Sequence, residues 1–126
     1  MKNVAVIILW LAALFCQAQD AKILSPEAFK KRLSESKEYV LVDVRTPEEV
    51  KNGHLKGAIN VDYNASSFEK EIAKLDTSKT YFLYCGSGIR SHKAAGIMKE
   101  MGFRNIFEME GGVKAWKAKG FPLEKK

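Results

Sequence analysis

Cysteine, proline and histidine are scarce in this sequence, and each shortage closes off a class of protein. Two cysteines among 126 residues are too few for a disulfide scaffold or for a zinc ribbon or finger, which needs Cys and His in paired spacings. Three prolines and nine glycines leave no room for a long linker or a collagen-like repeat. No internal repeat or low-complexity stretch occurs, and no basic block is interleaved with aromatics, so nucleic-acid binding is not expected. The charge does lean one way, to a formal +6 from 21 Lys and Arg against 15 Asp and Glu. Lysines nevertheless have acids three or four positions away, Glu27 with Lys31 and Glu71 with Lys74, the pattern of a solvated helix surface. A modest positive field remains that can draw small anions. Hydrophobic residues at 46% and charged residues at 29% argue against disorder, and the length suits one domain.

Long apolar runs are missing too, with one exception. Met1-Lys2-Asn3 is a short basic start, and Val4 to Phe15 is uncharged and apolar. A spanning helix needs about 20 apolar residues, so this run has the length of a signal-peptide core instead. Cys16 and Ala18 are small residues at the −3 and −1 positions of a cut after Ala18. Residues 1–18 are therefore read as a cleaved signal peptide and 19–126 as a single domain. The protein is expected to be exported, to the periplasm, with no membrane attachment after cleavage. A retained anchor is one alternative. Lipidation at Cys16 is another, disfavoured because bulky Phe15 stands where a lipoprotein signal has a small residue. The mature chain would keep one cysteine, Cys85, which cannot form an internal disulfide. Such a thiol is either buried and inert or reactive.

Strands and helices alternate along the rest. Strand candidates are 22–24, 39–44, 58–61, 80–84 and 104–109. Tyr39 to Val44 is a continuous apolar run ending in an acid, as in a buried parallel strand, and Thr80 to Tyr84 is rich in aromatic and β-branched residues. Ser25-Pro26-Glu27 predicts a helix start, with Leu24 stapled onto Phe29. Thr46-Pro47-Glu48-Glu49 is a capping box that opens a short helix. Ser66-Ser67 precedes a helix carrying Phe68, Ile72 and Leu75 on one face. Ser91 to Met101 and Val113 to Lys119 complete the set, each stopped by a glycine. The pattern predicts an α/β domain whose mostly parallel sheet is covered on both faces.

Cys85-Gly86-Ser87-Gly88-Ile89-Arg90-Ser91 lies between a buried strand and a helix. In open α/β sheets, ligands bind at the carboxyl ends of strands. Gly86 and Gly88 permit backbone angles closed to other residues, so successive N–H groups can converge as an anion nest. The following helix adds its dipole and Arg90 a full charge. A cysteine placed there is expected to be largely thiolate near neutrality, and hence nucleophilic. A buried structural cysteine is the bland alternative; the glycines and Arg90 in this spacing weigh against it.

These residues resemble the rhodanese-like sulfurtransferases. V-L-V-D-V-R at 40–45 with T-P-E-E at 46–49 and G-H-L-K-G-A-I-N at 53–60 looks like that family's first signature. Y-C-G-S-G-I-R-S at 84–91 looks like its active-site loop, and E-G-G-V-K-A-W at 110–116 with G-F-P at 120–122 is similar to its C-terminal signature. The resemblance implies a five-stranded, mostly parallel sheet flanked by helices. It also implies that Cys85 carries a sulfane sulfur as a persulfide, that the amides of Gly86, Ser87, Gly88, Ile89 and Arg90 cradle it, and that Arg90 helps hold an anionic donor. Thiosulfate is the implied donor class and cyanide or a thiol the acceptor, with a protein acceptor as a further option. No metal or cofactor is needed, and a monomer is expected. A sulfur carrier serving a partner is the competing reading. A thiol redox protein lacks its second cysteine near Cys85. Phosphatases of the cysteine-arginine type hold five residues between Cys and Arg; here four separate Cys85 from Arg90, a smaller loop that suits sulfur better than phosphate.

Other residues are given structural roles. Asp43 and Arg45 are expected to tie loops together as an ion pair, His54 to sit in a structural turn, His92 to face solvent on its helix, and Trp116 to anchor the last helix in the core. The export reading is tested by intact mass of the protein from its native compartment, expected to begin at Gln19. A retained Met1 segment or a lipid on Cys16 would contradict it.

Overall fold

The computed structural model describes residues 21–126; the signal segment 1–18 and Cys16 lie outside the described residues. Five strands form one sheet: β1 (Lys22–Leu24), β2 (Val40–Asp43), β3 (Ile59–Asn60), β4 (Thr80–Tyr84) and β5 (Asn105–Met109). Their order is β1-β5-β4-β2-β3, and every pairing is parallel. Five helices connect them: α1 (Pro26–Glu35), α2 (Pro47–Lys51), α3 (Phe68–Ile72), α4 (Ile89–Glu100) and α5 (Gly112–Ala118). No helix among the described residues is long and apolar enough to cross a membrane.

The apolar runs are continuous because both faces of the sheet are buried. Side chains alternate across a strand, so each run splits into two cores. Tyr81 and Leu83 of β4 and Val42 of β2 join Phe68, Ile72, Ala94, Ala95 and Met98 on the α3 and α4 side. Phe82, Tyr84 and Leu41 join Phe29, Met109, Val113 and Trp116 on the α1 and α5 side. Leu24 and Phe29 share that second layer, as the staple requires. β4 lies at the centre of the sheet, so the residue after Tyr84 emerges in the middle of its carboxyl edge.

Helix boundaries differ from expectation at three places. The helix expected from Ser66 is the short Phe68–Ile72, and Ser67 makes no side-chain cap. The last helix begins one residue early, at Gly112. The helix expected from Ser91 begins at Ile89, with Gly88 in the left-handed region at φ 101° as its N-cap. Serine is a favoured N-cap, which is what makes Ser91 look like a start. Its hydroxyl is occupied elsewhere, and a glycine, which bears no side chain to announce itself, turns the chain instead.

The carboxyl end of β2 is held by a buried ion pair. Asp43 accepts from the Arg45 amide at 3.0 Å, from Nε at 3.0 Å and from Nη2 at 2.8 Å. Arg45 Nη2 also donates to the Gly53 carbonyl at 2.6 Å, which ties the following turn down as expected. Asn60 donates to the carbonyls of Asp43 and Arg45. His54 is structural as well: its Nδ1 lies 3.1 Å from the Val50 carbonyl, and its backbone pairs with Glu124. Trp116 is buried and donates from Nε1 to the Pro122 carbonyl at 2.9 Å.

Asp43→Ala removes the partner of a charge that is 7% exposed. Breaking a buried pair this way costs about 3–5 kcal/mol. Urea unfolding is expected to show that loss as a lowered midpoint with an unchanged slope; a loss under about 1 kcal/mol, the range of exposed pairs, would show that the pair does not hold this end of the sheet.

Candidate active site

Cys85 leaves the carboxyl end of β4 and is 1% exposed. Its carbonyl accepts from the Val113 amide at 2.8 Å, and the Gly86 carbonyl accepts from the Lys114 amide at 3.0 Å. In a trans peptide the C=O and the next N–H point in opposite directions. Two carbonyls pulled toward α5 therefore turn the amides of Gly86 and Ser87 the other way. Gly112 makes the approach close enough. It has φ +59°, and a Cβ there would lie 2.6 Å from the Gly86 carbonyl carbon and collide with the Cys85 carbonyl oxygen.

The thiol is surrounded by donors. The Gly88 amide lies 3.1 Å from Sγ and the Ser91 hydroxyl 3.3 Å from it; the amides of Ser87 and Ser91 also bond to it. Burial pushes the thiol pKa up, but the Ser91 hydroxyl and the amides of Ser91, Gly88 and Ser87 outweigh it, and the net direction is down. Hydrogen bonds to the charged form favour it. The expected thiolate is thus supported by named donors rather than by a distant dipole.

Of the residues expected to cradle the sulfur, Gly86, Ser87 and Gly88 form the loop proper, while Ile89 and Arg90 belong to the first turn of α4. The Ile89 side chain points outward at 64% exposure. Arg90 is brought to the loop, but it is not free. Its Nη1 and Nη2 donate to the two carboxylate oxygens of Glu49 at 2.7 and 2.9 Å. The Arg90 hydrogen bonds, aided by those of Thr46, hold Glu49 well down, at about 2. Nη2 also sits 3.3 Å from where a Gly86 Cβ would be, so Arg90 folds over the start of the loop.

Three participants escaped the reading of the sequence. Glu49 was legible only as a capping-box residue; it completes that box with Thr46 and pairs with Arg90, 41 residues away. Ser91 was legible as a helix start, and its position six residues after the cysteine was the available signal. Glu108 is buried in β5, and its Oε1 lies 2.9 Å from His92 Nδ1. Its carboxyl is pushed up by burial, partly offset by His92. His92 is exposed as expected, yet partnered.

Two clefts flank the loop. One, of about 350 Å³, is lined by Gly86, Ser87, Arg45, Glu49, Arg90, Lys114 and Lys117 among others. The other, of about 400 Å³, is bordered by Ser87, Gly88, Ile23, Ile89, Met109 and Glu108 among others. Among the described residues, no group of His, Cys, Asp and Glu is placed to hold a metal ion. The arrangement suits a soft, anionic nucleophile that keeps its charge in a shielded position.

A family model described as "Rhodanese-like domain" matches residues 25–119. "Uncharacterized protein YqhL" of Bacillus subtilis is 32% identical over 115 residues, which span 91% of this chain and 87% of that protein. A protein of Allochromatium vinosum named "Sulfurtransferase" is 26% identical over 100 residues, 79% of this chain and 92% of its own length. The crystal structure of a rhodanese-like domain protein from Staphylococcus aureus superposes with a TM-score of 0.71 at 30% identity, over 83% of this chain and 98% of that one.

Ser91→Ala removes the hydroxyl donor and leaves the amides. Hydrogen bonds to charged groups contribute about 1.5–3 kcal/mol, so the thiol pKa is expected to rise by about one to two units. Less thiolate is then present at any pH below the new value. Ultraviolet absorbance of the thiolate across a pH titration measures it, and an unchanged midpoint would assign the stabilisation to the backbone alone.

Proposed function

This chain belongs to the rhodanese-like domain family, and from that premise we propose that it is a sulfurtransferase working through a Cys85 persulfide. The observation that carries the reading is the set of three amides and one hydroxyl directed at Cys85 Sγ. In the first half-reaction the Cys85 thiolate attacks the outer sulfur of thiosulfate. A Cys–S bond forms, the S–S bond to the sulfonate breaks, and its electron pair leaves with sulfite. The persulfide inherits the negative charge, which the same donors stabilise. In the second, cyanide or a thiolate attacks the outer sulfur and Cys85 leaves as thiolate, giving ping-pong kinetics. No proton has to move when the acceptor is cyanide anion. The short loop, with four residues between Cys85 and Arg90, favours this over phosphoryl transfer.

Cys85→Ser is expected to fold and to abolish thiocyanate formation from thiosulfate and cyanide, because oxygen cannot hold a transferable sulfane sulfur. Mass spectrometry of the parent after thiosulfate is expected to show one added sulfur atom that cyanide removes. Parent-like activity in Cys85→Ser would falsify the persulfide route. A folded parent that gains no sulfur from any small donor would favour a carrier loaded by a partner protein. Cys85-dependent turnover of an aryl phosphate at comparable rates would overturn the loop-length argument.

A further inference from the structure

Charge is divided unevenly around the loop. The cleft on the Arg90 side is lined by four cationic side chains, Arg45, Arg90, Lys114 and Lys117, and by one carboxylate, Glu49. Two of those cations are already engaged, Arg45 by Asp43 and Arg90 by Glu49 through two hydrogen bonds. The ammonium groups of Lys114 and Lys117 have no partner among the described residues. Lys119, further along the chain, differs: it reaches Glu27 at 3.6 Å. The cleft on the other side is bordered by apolar Ile23, Ile89 and Met109, by the carboxylates of Glu108 and Glu110, and by His92 and a single lysine, Lys93, so it offers an anion less positive charge.

The two lysines are also fixed relative to the nucleophile. They are three residues apart on α5, hence on one face. The Lys114 amide donates to the Gly86 carbonyl, and that of Val113 to the Cys85 carbonyl. The backbone bearing the ammonium groups is thus hydrogen-bonded to the residues that bear and follow the thiol. The flexible stems allow each ammonium to reach into the cleft without moving the loop.

We infer that Lys114 and Lys117 hold the anionic end of the sulfur donor, while Arg90 remains with Glu49 as part of the cleft wall. The inference rests on the sulfurtransferase reading and deepens it, for it names the side chains of this chain that hold the sulfonate of a thiosulfate-like donor. The sulfonate oxygens lie against the lysines and the outer sulfur against Cys85 Sγ. When the S–S bond breaks, its electron pair goes to the sulfonate sulfur and leaves with sulfite, whose oxygens the lysines hold as they held those of the donor, so the lysines act on binding rather than on the chemical step. Arg90 serves this poorly, since its pairing with Glu49 leaves the two together nearly neutral.

The test compares Lys114→Gln/Lys117→Gln with the parent in thiosulfate:cyanide transfer. Loss of two solvent-exposed charge contacts is expected to raise KM for thiosulfate about tenfold, with kcat changed less than about twofold. The parent's kcat/KM should fall with added salt and that of the double variant should be flatter. Lys114→Arg/Lys117→Arg should restore the parent KM, and Lys93→Gln, which removes one charge beside the other cleft, should leave it unchanged. Equilibrium titration of thiosulfate into the Cys85→Ser protein, with and without the lysine substitutions, reads the site without turnover; losing two solvent-exposed charge contacts should weaken binding about tenfold. Weakened binding in these titrations, with a parent that gains no sulfur and makes no thiocyanate, would keep the lysine site and overturn the sulfurtransferase reading. An unchanged KM and Kd in the double variant, or no thiosulfate binding to Cys85→Ser, would overturn the lysine site.

Discussion

Two backbone hydrogen bonds govern the site: Val113 N–H to the Cys85 carbonyl and Lys114 N–H to the Gly86 carbonyl. They draw the first two carbonyls of the loop toward α5, and peptide planarity turns the amides of Gly86 and Ser87 the other way, that of Ser87 onto the thiol. The bonds need the two backbones nearly in contact, and Gly112 permits this by lacking a Cβ and by holding φ +59°. A side chain there would push α5 away from the loop, and the amides would lose their aim before any group that touches sulfur had changed. The same contact delivers the side chains of Lys114 and Lys117 to the cleft.

Around this constraint the charges are arranged so that little is left unpaired in the interior. Cys85 is shielded from solvent, which alone would favour the neutral thiol; local donors reverse that direction. Gly88 contributes twice, by its amide and by turning the chain into α4 without a side-chain cap, which leaves the Ser91 hydroxyl for the sulfur. Glu49 closes the N-terminus of α2 and holds Arg90 across the cleft. The Asp43–Arg45 pair fixes the neighbouring strand end and the turn at Gly53. Tyr84, whose hydroxyl accepts from the Leu55 amide at 3.0 Å, joins the segment after that turn to the central strand. The nucleophile therefore stands on a frame whose polar groups satisfy one another.

Much of this could be read along the chain, and the reason is locality. Continuous apolar runs announced strands with two buried faces, and the two that coincide with expectation at both ends, β1 and β4, are bounded by turn or charge signals on either side. Ser25 and Thr46 announced helix starts because a cap bonds within its own turn. Asp43 and Arg45 were legible as a pair because they are two residues apart. Cys85, Gly86, Gly88 and Arg90 were legible as a site because a loop between a strand and a helix is a local object. The start of α4 departs from the local pattern for the same reason: Ser91 satisfies the local rule for a cap, while its hydroxyl bonds to a sulfur atom six residues back.

The sequence by itself determined the alternation of strands and helices, the division of each strand between two cores, and the place of the thiol at a strand's end, since all follow from neighbours within a few residues. Only the tertiary structure decided that Glu49 engages Arg90, that Glu108 is buried against His92, and that Gly112 must be a glycine. Those outcomes depend on which strand lies beside which. The order β1-β5-β4-β2-β3 brings α2 and α5 to the loop that follows β4, and nothing periodic in the chain encodes how close two elements dozens of residues apart will pack.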